Sequence, residues 1–314
     1  MYRIGVDIGG MSVKTGLVDA NGSIVKKAVT KTETDTEKFL LNIKKDVDKV
    51  LEETGVSKDQ VIGIGVGCPG SIDSEKGEVI YSNNIGWKHF FLVDGIKKIT
   101  GFDVRISNDA NVAALGEGKY GAGKGYKNSV MITLGTGVGG GIVIDGKIYE
   151  GGHSQGAEPG HVSLFVDGLP CSCGRRGCAE MYASATALMR QTKSAMEEDR
   201  NSLMWEFVGG DLEKVDGRTA FECSKKGDAT AVKVVDTYVK YVSETIINTL
   251  NLFRPDVVIL GGGVSAQGAY LTDKITAYCE ENHYGYIMAP KSKITIAKLG
   301  NDAGIIGAAS LFEV

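Results

Sequence analysis

The sequence predicts an α/β protein built from two related lobes. A three-stranded meander pattern occurs near the N-terminus and again from Ser129, and alternating helix and strand patterns follow each copy. Such alternation is typical of largely parallel strand pairing. A chain of 314 residues with 42% hydrophobic content can also bury two cores of ordinary size.

Both meanders contain a glycine cluster and a hairpin dipeptide. In the first, the run RIGVDIGG ends in Gly9-Gly10, and Asn21-Gly22 supplies a later turn. In the second, SVMITLGTGVGGG is followed by Asp145-Gly146. Dipeptides of these two kinds favour a type I′ turn between antiparallel strands. We therefore expect two hairpins of this type, one in each lobe.

The helices and strands that follow each meander are predicted from hydrophobic spacing. After the first meander we expect a helix over 35–55, a strand over 61–67, a short helix near 89–100, a strand over 103–107 and a helix from about 111. After the second we expect helices over about 178–196 and 228–252, a strand over 256–260, another helix, a strand over 293–297 and a closing helix over 302–312.

Charge and hydropathy exclude several classes of partner. The formal net charge is −4 and the sequence has no block of Lys and Arg, which argues against nucleic acid or an anionic membrane as the main partner. No apolar run approaches the ~20 residues of a membrane span, and no secretory signal precedes the first strand. We expect a cytoplasmic protein that binds small molecules and in which disulfides are rare.

The glycine clusters do not match the common nucleotide motifs. Neither cluster opens a helix directly after a strand, as a dinucleotide fingerprint requires, and the sequence has no P-loop. Backbone N–H groups in a glycine hairpin can instead line a concavity the size of a phosphate. A single hairpin of this kind is more often a plain tight turn. Its occurrence in both lobes favours phosphate binding.

Six stretches of the sequence resemble, in order, the motifs of the ROK family of sugar kinases. They are DIGG (7–10), NDANVAALGE (108–117), LGTGVGGG (134–141), EPGH (158–161), CSCGRRGCAE (171–180) and LGGGV (260–264). The resemblance spans essentially the whole chain. It implies two ribonuclease H-like (actin/hexokinase-like) lobes with a central cleft. It also implies that residues 1–115 and 302–314 form the smaller lobe and residues 116–301 the larger lobe.

Asp109 is the candidate catalytic residue. It stands between a predicted strand and a predicted helix, where an aspartate is ordinarily an N-cap. The resemblance implies a different role, the base that accepts the proton of the attacking sugar hydroxyl. Phosphoryl transfer depends mainly on positioning and charge neutralisation, so one carboxylate in reach of the nucleophile is sufficient.

The resemblance also implies a nucleotide site that uses both glycine clusters. Asp7 would hold the Mg²⁺ of ATP, which favours carboxylates and water. The residues expected at the phosphates and the adenosine are Gly9, Gly10, Ser12, Thr136, Gly137, Gly261 and Gly262. Met11 departs from the family, which usually has threonine there, and a thioether is a poor partner for phosphate. Ser12 could supply the missing hydroxyl.

The cysteine cluster is interpreted as a structural zinc site. The spacing C-x-C-x₄-C with a histidine ten residues upstream suits tetrahedral Zn²⁺ better than three unligated thiols. The four ligands would be His161, Cys171, Cys173 and Cys178. Cys68, Cys223 and Cys279 have no such pattern and are expected in the core.

The expected sugar contacts flank the metal site and the candidate base. By resemblance they are Gly70, Asn84, Asn108, Asp109, Glu158, His161 and Glu180. A zinc ion on one imidazole nitrogen of His161 would leave the other aimed at the sugar. The metal would then fix the position of a side chain that contacts the sugar.

These expectations indicate an ATP-dependent hexose kinase that converts glucose to glucose 6-phosphate in glycolysis. The alternative enzyme phosphorylates N-acetylmannosamine, N-acetylglucosamine or another hexose. A sugar-responsive repressor needs a DNA-binding segment of roughly 60–80 residues before the kinase fold, and Asp7 follows Met1 too closely for one. A sensor without catalysis is disfavoured by the presence of Asp109. We expect a homodimer on the resemblance alone.

Overall fold

The computed structural model of the protein describes residues 1–285, 288 and 290–313. The chain forms two compact units, each assembled from segments that are separate in the sequence. Unit 1 comprises Met1–Ser129, Gly141–Ala157 and Lys298–Val314, and unit 2 comprises Val130–Gly140 and Glu158–Ala297. Val314, which ends the predicted 302–314 segment, lies outside the described residues.

Strands and helices alternate along most of the chain. The strands are β1 (Tyr2–Ile8), β2 (Ser12–Val18), β3 (Ile24–Lys31), β4 (Val61–Cys68), β5 (Ser71–Asp73), β6 (Glu78–Ser82), β7 (Trp87–Phe90), β8 (Val104–Asn108), β9 (Ser129–Leu134), β10 (Val138–Ile144), β11 (Lys147–Tyr149), β12 (Val257–Gly261) and β13 (Lys293–Ile296). The α-helices are α1 (Thr36–Glu52), α2 (Leu92–Thr100), α3 (Asp109–Tyr120), α4 (Glu180–Ala183), α5 (Ala185–Glu198), α6 (Leu203–Phe207), α7 (Thr219–Lys225), α8 (Ala229–Phe253), α9 (Ala269–Asn282) and α10 (Ala303–Ala309).

The first sheet has the strand order β3-β2-β1-β4-β8. Strands β1 to β3 form the predicted antiparallel meander, and β4 pairs in parallel with both β1 and β8. Asp7 is in register with Gly67, and Gly67 with Ser107. The carboxyl ends of these parallel strands therefore bring Asp7 to the same edge of the sheet as the end of β8, where Asp109 follows.

The closing helix α10 packs directly onto the backbone of this sheet. A Cβ added at Gly5 would lie 1.9 Å from the carbonyl oxygen of Ile305, and one at Gly65 would lie 1.7 Å from that of Ala308. Only glycine permits so close an approach between a strand and a helix. The predicted helix over 302–312 is confirmed, although short 3₁₀ turns flank its α-helical part.

The second sheet repeats the first. Its strand order is β11-β10-β9-β12-β13. If the strands of each sheet are counted along the chain, both orders read third, second, first, fourth and fifth strand. Strands β10 and β11 are antiparallel, while β12 and β13 are parallel. The duplicated layout that the sequence predicts is therefore confirmed.

One of the two predicted hairpin turns is wrong. At Asp145-Gly146 both residues have positive φ, 50° and 75°, and Ile144 pairs with Lys147, as a type I′ turn requires. At Asn21-Gly22 only Gly22 has positive φ. There Asp19 Oδ1 accepts hydrogen bonds from the backbone N–H groups of Asn21 and Ser23, both at 2.8 Å, which stabilises a longer loop.

The predicted helix over 178–196 is interrupted. Ser184 has an extended backbone, with ψ of 164°, and its hydroxyl accepts a hydrogen bond from Ala187 N. Serine is a strong N-cap, so α4 ends at Ala183 and α5 begins at Ala185. The small antiparallel sheet β5-β6-β7 and the short helices α6 and α7 were not predicted.

Cys68, Cys223 and Cys279 are buried, as predicted. Among the residues that the structure describes, no helix has both the length and the apolar surface that a membrane span needs.

Candidate active site and metal cluster

Asp109 is the first residue of α3, but it is not the helix cap. Asn108 takes that position, and its Oδ1 accepts a hydrogen bond of 2.8 Å from Ala110 N. Asp109 Oδ1 accepts a second hydrogen bond, of 2.9 Å, from the same N–H. An aspartate at the start of a helix ordinarily serves as its N-cap, and here the preceding residue, Asn108, already does so.

The surroundings of Asp109 change its acidity. Burial raises the pKa of the carboxyl above its ordinary value, the hydrogen bond from Ala110 opposes this, and the negative charge of Asp7 raises the pKa further. A carboxylate with a raised pKa holds a proton more strongly than a free aspartate does. That property suits a group that accepts a proton during a reaction.

Asp7 lies opposite Lys14 on the neighbouring strand. Lys14 Nζ is 3.2 Å from Asp7 Oδ2 and donates a further hydrogen bond, also of 3.2 Å, to the carbonyl oxygen of Asn301. Both side chains are half-buried, with exposed fractions of 28% for Lys14 and 18% for Asp7. The ion pair therefore restricts the position of the carboxylate. Lys14 was not among the predicted site residues, although its register opposite Asp7 follows from the meander.

The first glycine turn joins β1 to β2. Gly9 N donates to the carbonyl oxygen of Ser12 at 2.9 Å, and Thr32 Oγ1 donates to that of Gly9 at 2.6 Å. The Met11 side chain is 87% exposed, so it contributes no packing that holds the turn. A Cβ at Gly10 would lie 3.6 Å from Asn84 Cβ, which places this predicted sugar residue beside the turn.

Two other predicted sugar residues of unit 1 are in direct contact. Asn108 Nδ2 donates a hydrogen bond of 3.1 Å to the carbonyl oxygen of Gly70. Gly70 has φ of 117°, and a Cβ there would lie 2.2 Å from the carbonyl oxygen of Tyr81. Glycine is therefore required at this position. Gly70 therefore contacts Asn108, the residue that precedes Asp109 in the chain.

In unit 2, the second glycine turn joins β9 to β10. Its carbonyl groups are held by the start of α5: Ala185 N donates to Gly135 O and Thr186 Oγ1 donates to Thr136 O, both at 2.8 Å. Gly262 lies against the strand before this turn, since a Cβ there would be 2.5 Å from the carbonyl oxygen of Leu134. A Cβ at Gly261, at the end of β12, would lie 2.6 Å from Met131 Cε. Gly261 and Gly262 thus lie against β9, the strand that leads into the turn.

The four predicted metal ligands converge on one point. Their donor atoms all lie within 4.8 Å of one another. Cys173 Sγ is 3.6 Å from Cys178 Sγ, and Cys171 Sγ is 3.8 Å from His161 Nδ1. In a tetrahedral zinc site with bonds of about 2.3 Å to sulfur, donor atoms are about 3.6–3.8 Å apart. The cluster therefore fits a zinc ion, and Nδ1 is the imidazole atom on its side.

The loop around the cluster is shaped by glycine. Gly174 and Gly177 have φ of 88° and 76°, and a Cβ at Gly177 would lie 1.6 Å from the carbonyl oxygen of Phe165. Burial raises the pKa of Cys178 to about 12, with its thiol neighbours adding to the effect. Coordination to a cation removes the thiol proton. Zinc would thus convert a crowded set of thiols into thiolate ligands.

Glu158 and Glu180 flank the cluster in different ways. Glu158 is exposed, and its carbonyl oxygen accepts a hydrogen bond of 3.1 Å from His161 N. Glu180 Oε2 accepts a hydrogen bond of 3.0 Å from Val138 N, at the second glycine turn. Glu180 was predicted to contact the sugar, and its hydrogen bond with the glycine turn was not predicted.

Comparisons with known proteins agree with this arrangement. The model of the ROK family matches residues 3–314. The chain is 38% identical over 310 residues to a glucokinase of Halalkalibacterium halodurans, covering 98% of this chain and 93% of that protein. It is 36% identical over 318 residues to a glucokinase of Thermotoga maritima, covering 99% and 96%. The crystal structure of a ROK family glucokinase from Streptomyces griseus, in complex with glucose and AMPPNP, matches with a TM-score of 0.80 and 34% identity over 99% of both chains.

The repeated sheets and this structural match define an α/β protein of the ribonuclease H-like, actin/hexokinase-like ATPase fold. Within that fold the chain belongs to the ROK family.

Proposed function

We propose that the protein is an ATP-dependent hexose kinase whose sugar substrate is glucose and whose products are glucose 6-phosphate and ADP. The observation that carries the proposal is the environment of Asp109. This carboxyl group follows β8 and has a raised pKa, and it is not needed as the helix cap because Asn108 takes that position. The relatives named glucokinase, at 36–38% identity over nearly the whole chain, support the same substrate.

In the proposed reaction Asp109 accepts the proton of the 6-hydroxyl as the sugar oxygen bonds to the γ-phosphorus. The bond between the γ-phosphorus and the bridging oxygen breaks, and ADP leaves with that electron pair. Asn108, held by Gly70, and Asn84 would orient the sugar. Glu158, His161 and Glu180 would bind sugar hydroxyls.

We assign the nucleotide to the two glycine turns. Gly9, Gly10 and Ser12 would bind one phosphate through backbone N–H and hydroxyl groups, and Thr136 with Gly137 another. Gly261 and Gly262 would contact the adenosine half. ATP-using kinases employ a divalent cation such as Mg²⁺, which neutralises phosphate charge. Asp7, fixed by Lys14, is the carboxylate placed to hold its water shell.

For the cluster of His161, Cys171, Cys173 and Cys178 we propose structural Zn²⁺. The separation of the donor atoms supports this assignment. With Nδ1 of His161 on the metal side, Nε2 is available to the sugar. Elemental analysis of the purified protein should find one zinc per chain, and Cys173→Ala should lower that ratio by more than half. Zinc retained at one per chain in the variant would contradict the ligand set.

We further propose that the protein works in the cytoplasm as a homodimer, without a nucleic-acid partner. Reduced thiols at the metal cluster suit that compartment. Light scattering of the purified protein would give twice the chain mass for a dimer.

A coupled assay of ADP release tests the proposed function. Purified protein with ATP and Mg²⁺ is offered glucose, mannose, N-acetylglucosamine and N-acetylmannosamine in parallel. We expect the highest kcat/KM with glucose. A higher value with an N-acetylhexosamine would move the assignment to that sugar, and no turnover with any of the four would contradict the kinase proposal.

A further inference from the structure

The Glu180 side chain lies between the metal cluster and the second glycine turn. Its Oε2 accepts the hydrogen bond from Val138 N at 3.0 Å, and its Oε1 lies 3.9 Å from Cys171 Sγ. One carboxylate therefore contacts the backbone of the turn on one side and a metal ligand on the other.

The fit between Glu180 and the turn is close. A Cβ added at Gly137 would lie 2.3 Å from Glu180 Oε2, so the carboxylate occupies the space that any larger residue would need. A shift of the Glu180 carboxylate would therefore alter its hydrogen bond with Val138 N and its contact with Gly137. Since the Gly135 and Thr136 carbonyls are bonded to α5, the Val138 N–H is the part of the turn that depends on Glu180.

The backbone position of Glu180 depends in turn on the metal loop. Glu180 is the first residue of α4 and comes two residues after the ligand Cys178. Between them, Ala179 N donates a hydrogen bond of 2.8 Å to the carbonyl oxygen of Val162, which follows the ligand His161. The segment that carries Glu180 is thus connected to the ligand Cys178 through the chain and to the residue after the ligand His161 through a hydrogen bond.

We propose that Glu180 is a positioning residue that couples the metal cluster to the nucleotide turn. Occupancy of the cluster would then set the affinity for the nucleotide as well as that for the sugar. When Cys171 and Cys178 are fixed as ligands, Glu180 is held against Val138 and the turn keeps its shape. The inference rests on the proposed function, because it takes the turn at Thr136 and Gly137 to bind phosphate.

Nucleotide binding in the absence of sugar is the appropriate measurement, since it separates this role of Glu180 from its proposed sugar contact. The variants are Glu180→Ala, which removes the acceptor, and Glu180→Gln, which keeps a neutral one. Glu197→Gln, an exposed position near the end of α5, is the matched control. Calorimetry gives the Kd for ADP, and hydrogen exchange gives the protection of the Val138 amide relative to that of Ile259 in the buried strand β12.

Loss of a hydrogen bond to a charged acceptor typically changes an equilibrium by tenfold or more. We therefore expect Glu180→Ala to raise the Kd for ADP about tenfold and to accelerate exchange at Val138 but not at Ile259. Glu180→Gln should fall between this variant and the wild type, and Glu197→Gln should match the wild type. Removal of zinc by a chelator should reproduce the effect of Glu180→Ala in the wild-type protein.

Unchanged ADP affinity and unchanged Val138 exchange after zinc removal would overturn the inference. Equal acceleration at Val138 and Ile259 would also overturn it, because unit 2 would then be unfolding as a whole. If Glu180→Ala does not fold, Glu180→Gln and chelation provide the same comparison. A wild-type protein that binds no ADP would instead contradict the proposed function, and Val138 exchange upon chelation would still test the coupling.

Discussion

Asp7 occupies the space that a side chain at position 304 would fill. A Cβ added at Gly304 would lie 2.5 Å from Asp7 Cγ, and the same carboxylate is paired with Lys14 across the hairpin. The candidate magnesium carboxylate is thus enclosed by a helix on one side and a cation on the other. Its orientation depends on a glycine that lies almost 300 residues away in the sequence.

Gly304→Ala should therefore displace Asp7. Overpacking of this kind typically costs about 1–3 kcal/mol, so we expect a lower Tm, a kcat reduced at least tenfold and a higher Mg²⁺ requirement. Gly217→Ala is the control, because a Cβ there meets no heavy atom within 4 Å. If the two alanine variants have equal kcat and equal Mg²⁺ dependence, Asp7 does not depend on the space at Gly304.

The pH dependence of the reaction should report the raised pKa of Asp109. A general base acts in its ionised form, so activity falls as the pH drops through the pKa of that group. Burial, with the charge of Asp7 adding to it, places this pKa above the ordinary value for aspartate. We expect the acidic limb of the kcat/KM profile to lie at a higher pH than the ordinary pKa of an aspartate. Carbon NMR of labelled aspartate should show a lower pKa for Asp109 in Asp7→Asn than in the wild type; an unchanged value would exclude the influence of Asp7.

Asp46 should destabilise unit 1 near neutral pH. Its side chain is 4% exposed, and burial raises its pKa, although the hydrogen bond from Thr30 and the charge of Lys49 oppose this. Because the folded-state pKa exceeds the unfolded one, the contribution to stability is greatest below the unfolded pKa and is lost as pH rises through the folded pKa. Asp46→Asn should thus raise the free energy of unfolding at pH 7 more than at pH 4. Chemical denaturation at both pH values measures this, and an equal change at both would refute it.

The duplicated fold could be predicted because its signals are local. Glycine clusters, strand patterns and hairpin dipeptides each depend on a few adjacent residues, and they recur in both halves of the chain. The break at Ser184 was missed because hydrophobic spacing continues across it, although serine is a known cap. The turn at Asn21 was misread because Asp19, outside the dipeptide, sets its conformation.

Within the candidate site, residue types were predicted more readily than their contacts. The spacing of the cysteines predicted a cluster whose donor atoms do converge. The ion pair of Lys14 with Asp7 follows from the register of the predicted meander, whereas the hydrogen bond from Val138 to Glu180 joins segments that only the folded chain brings together. Sequence spacing carries no direct signal for such contacts.

Met11 should weaken ATP binding, because its thioether replaces the hydroxyl that the family usually has in this turn. The side chain is exposed, and the turn is held by backbone contacts such as Thr32 N to Met11 O at 3.1 Å. Met11→Thr should therefore fold normally and lower the KM for ATP several-fold without changing that for glucose. An unchanged or higher KM for ATP would mean that Ser12 or Lys14 already supplies the contact.

Asp109→Asn tests the role of Asp109 as the base most directly. The amide preserves the shape of the side chain but cannot accept the proton of the sugar hydroxyl at neutral pH. Turnover of ATP and glucose should be measured together with the Kd for glucose, using the wild type as reference. We predict a kcat reduced at least about a thousandfold, within the range that general-base catalysis contributes, with the Kd for glucose changed less than fivefold. A variant that retains more than a tenth of the wild-type kcat would contradict the assignment of Asp109 as the base.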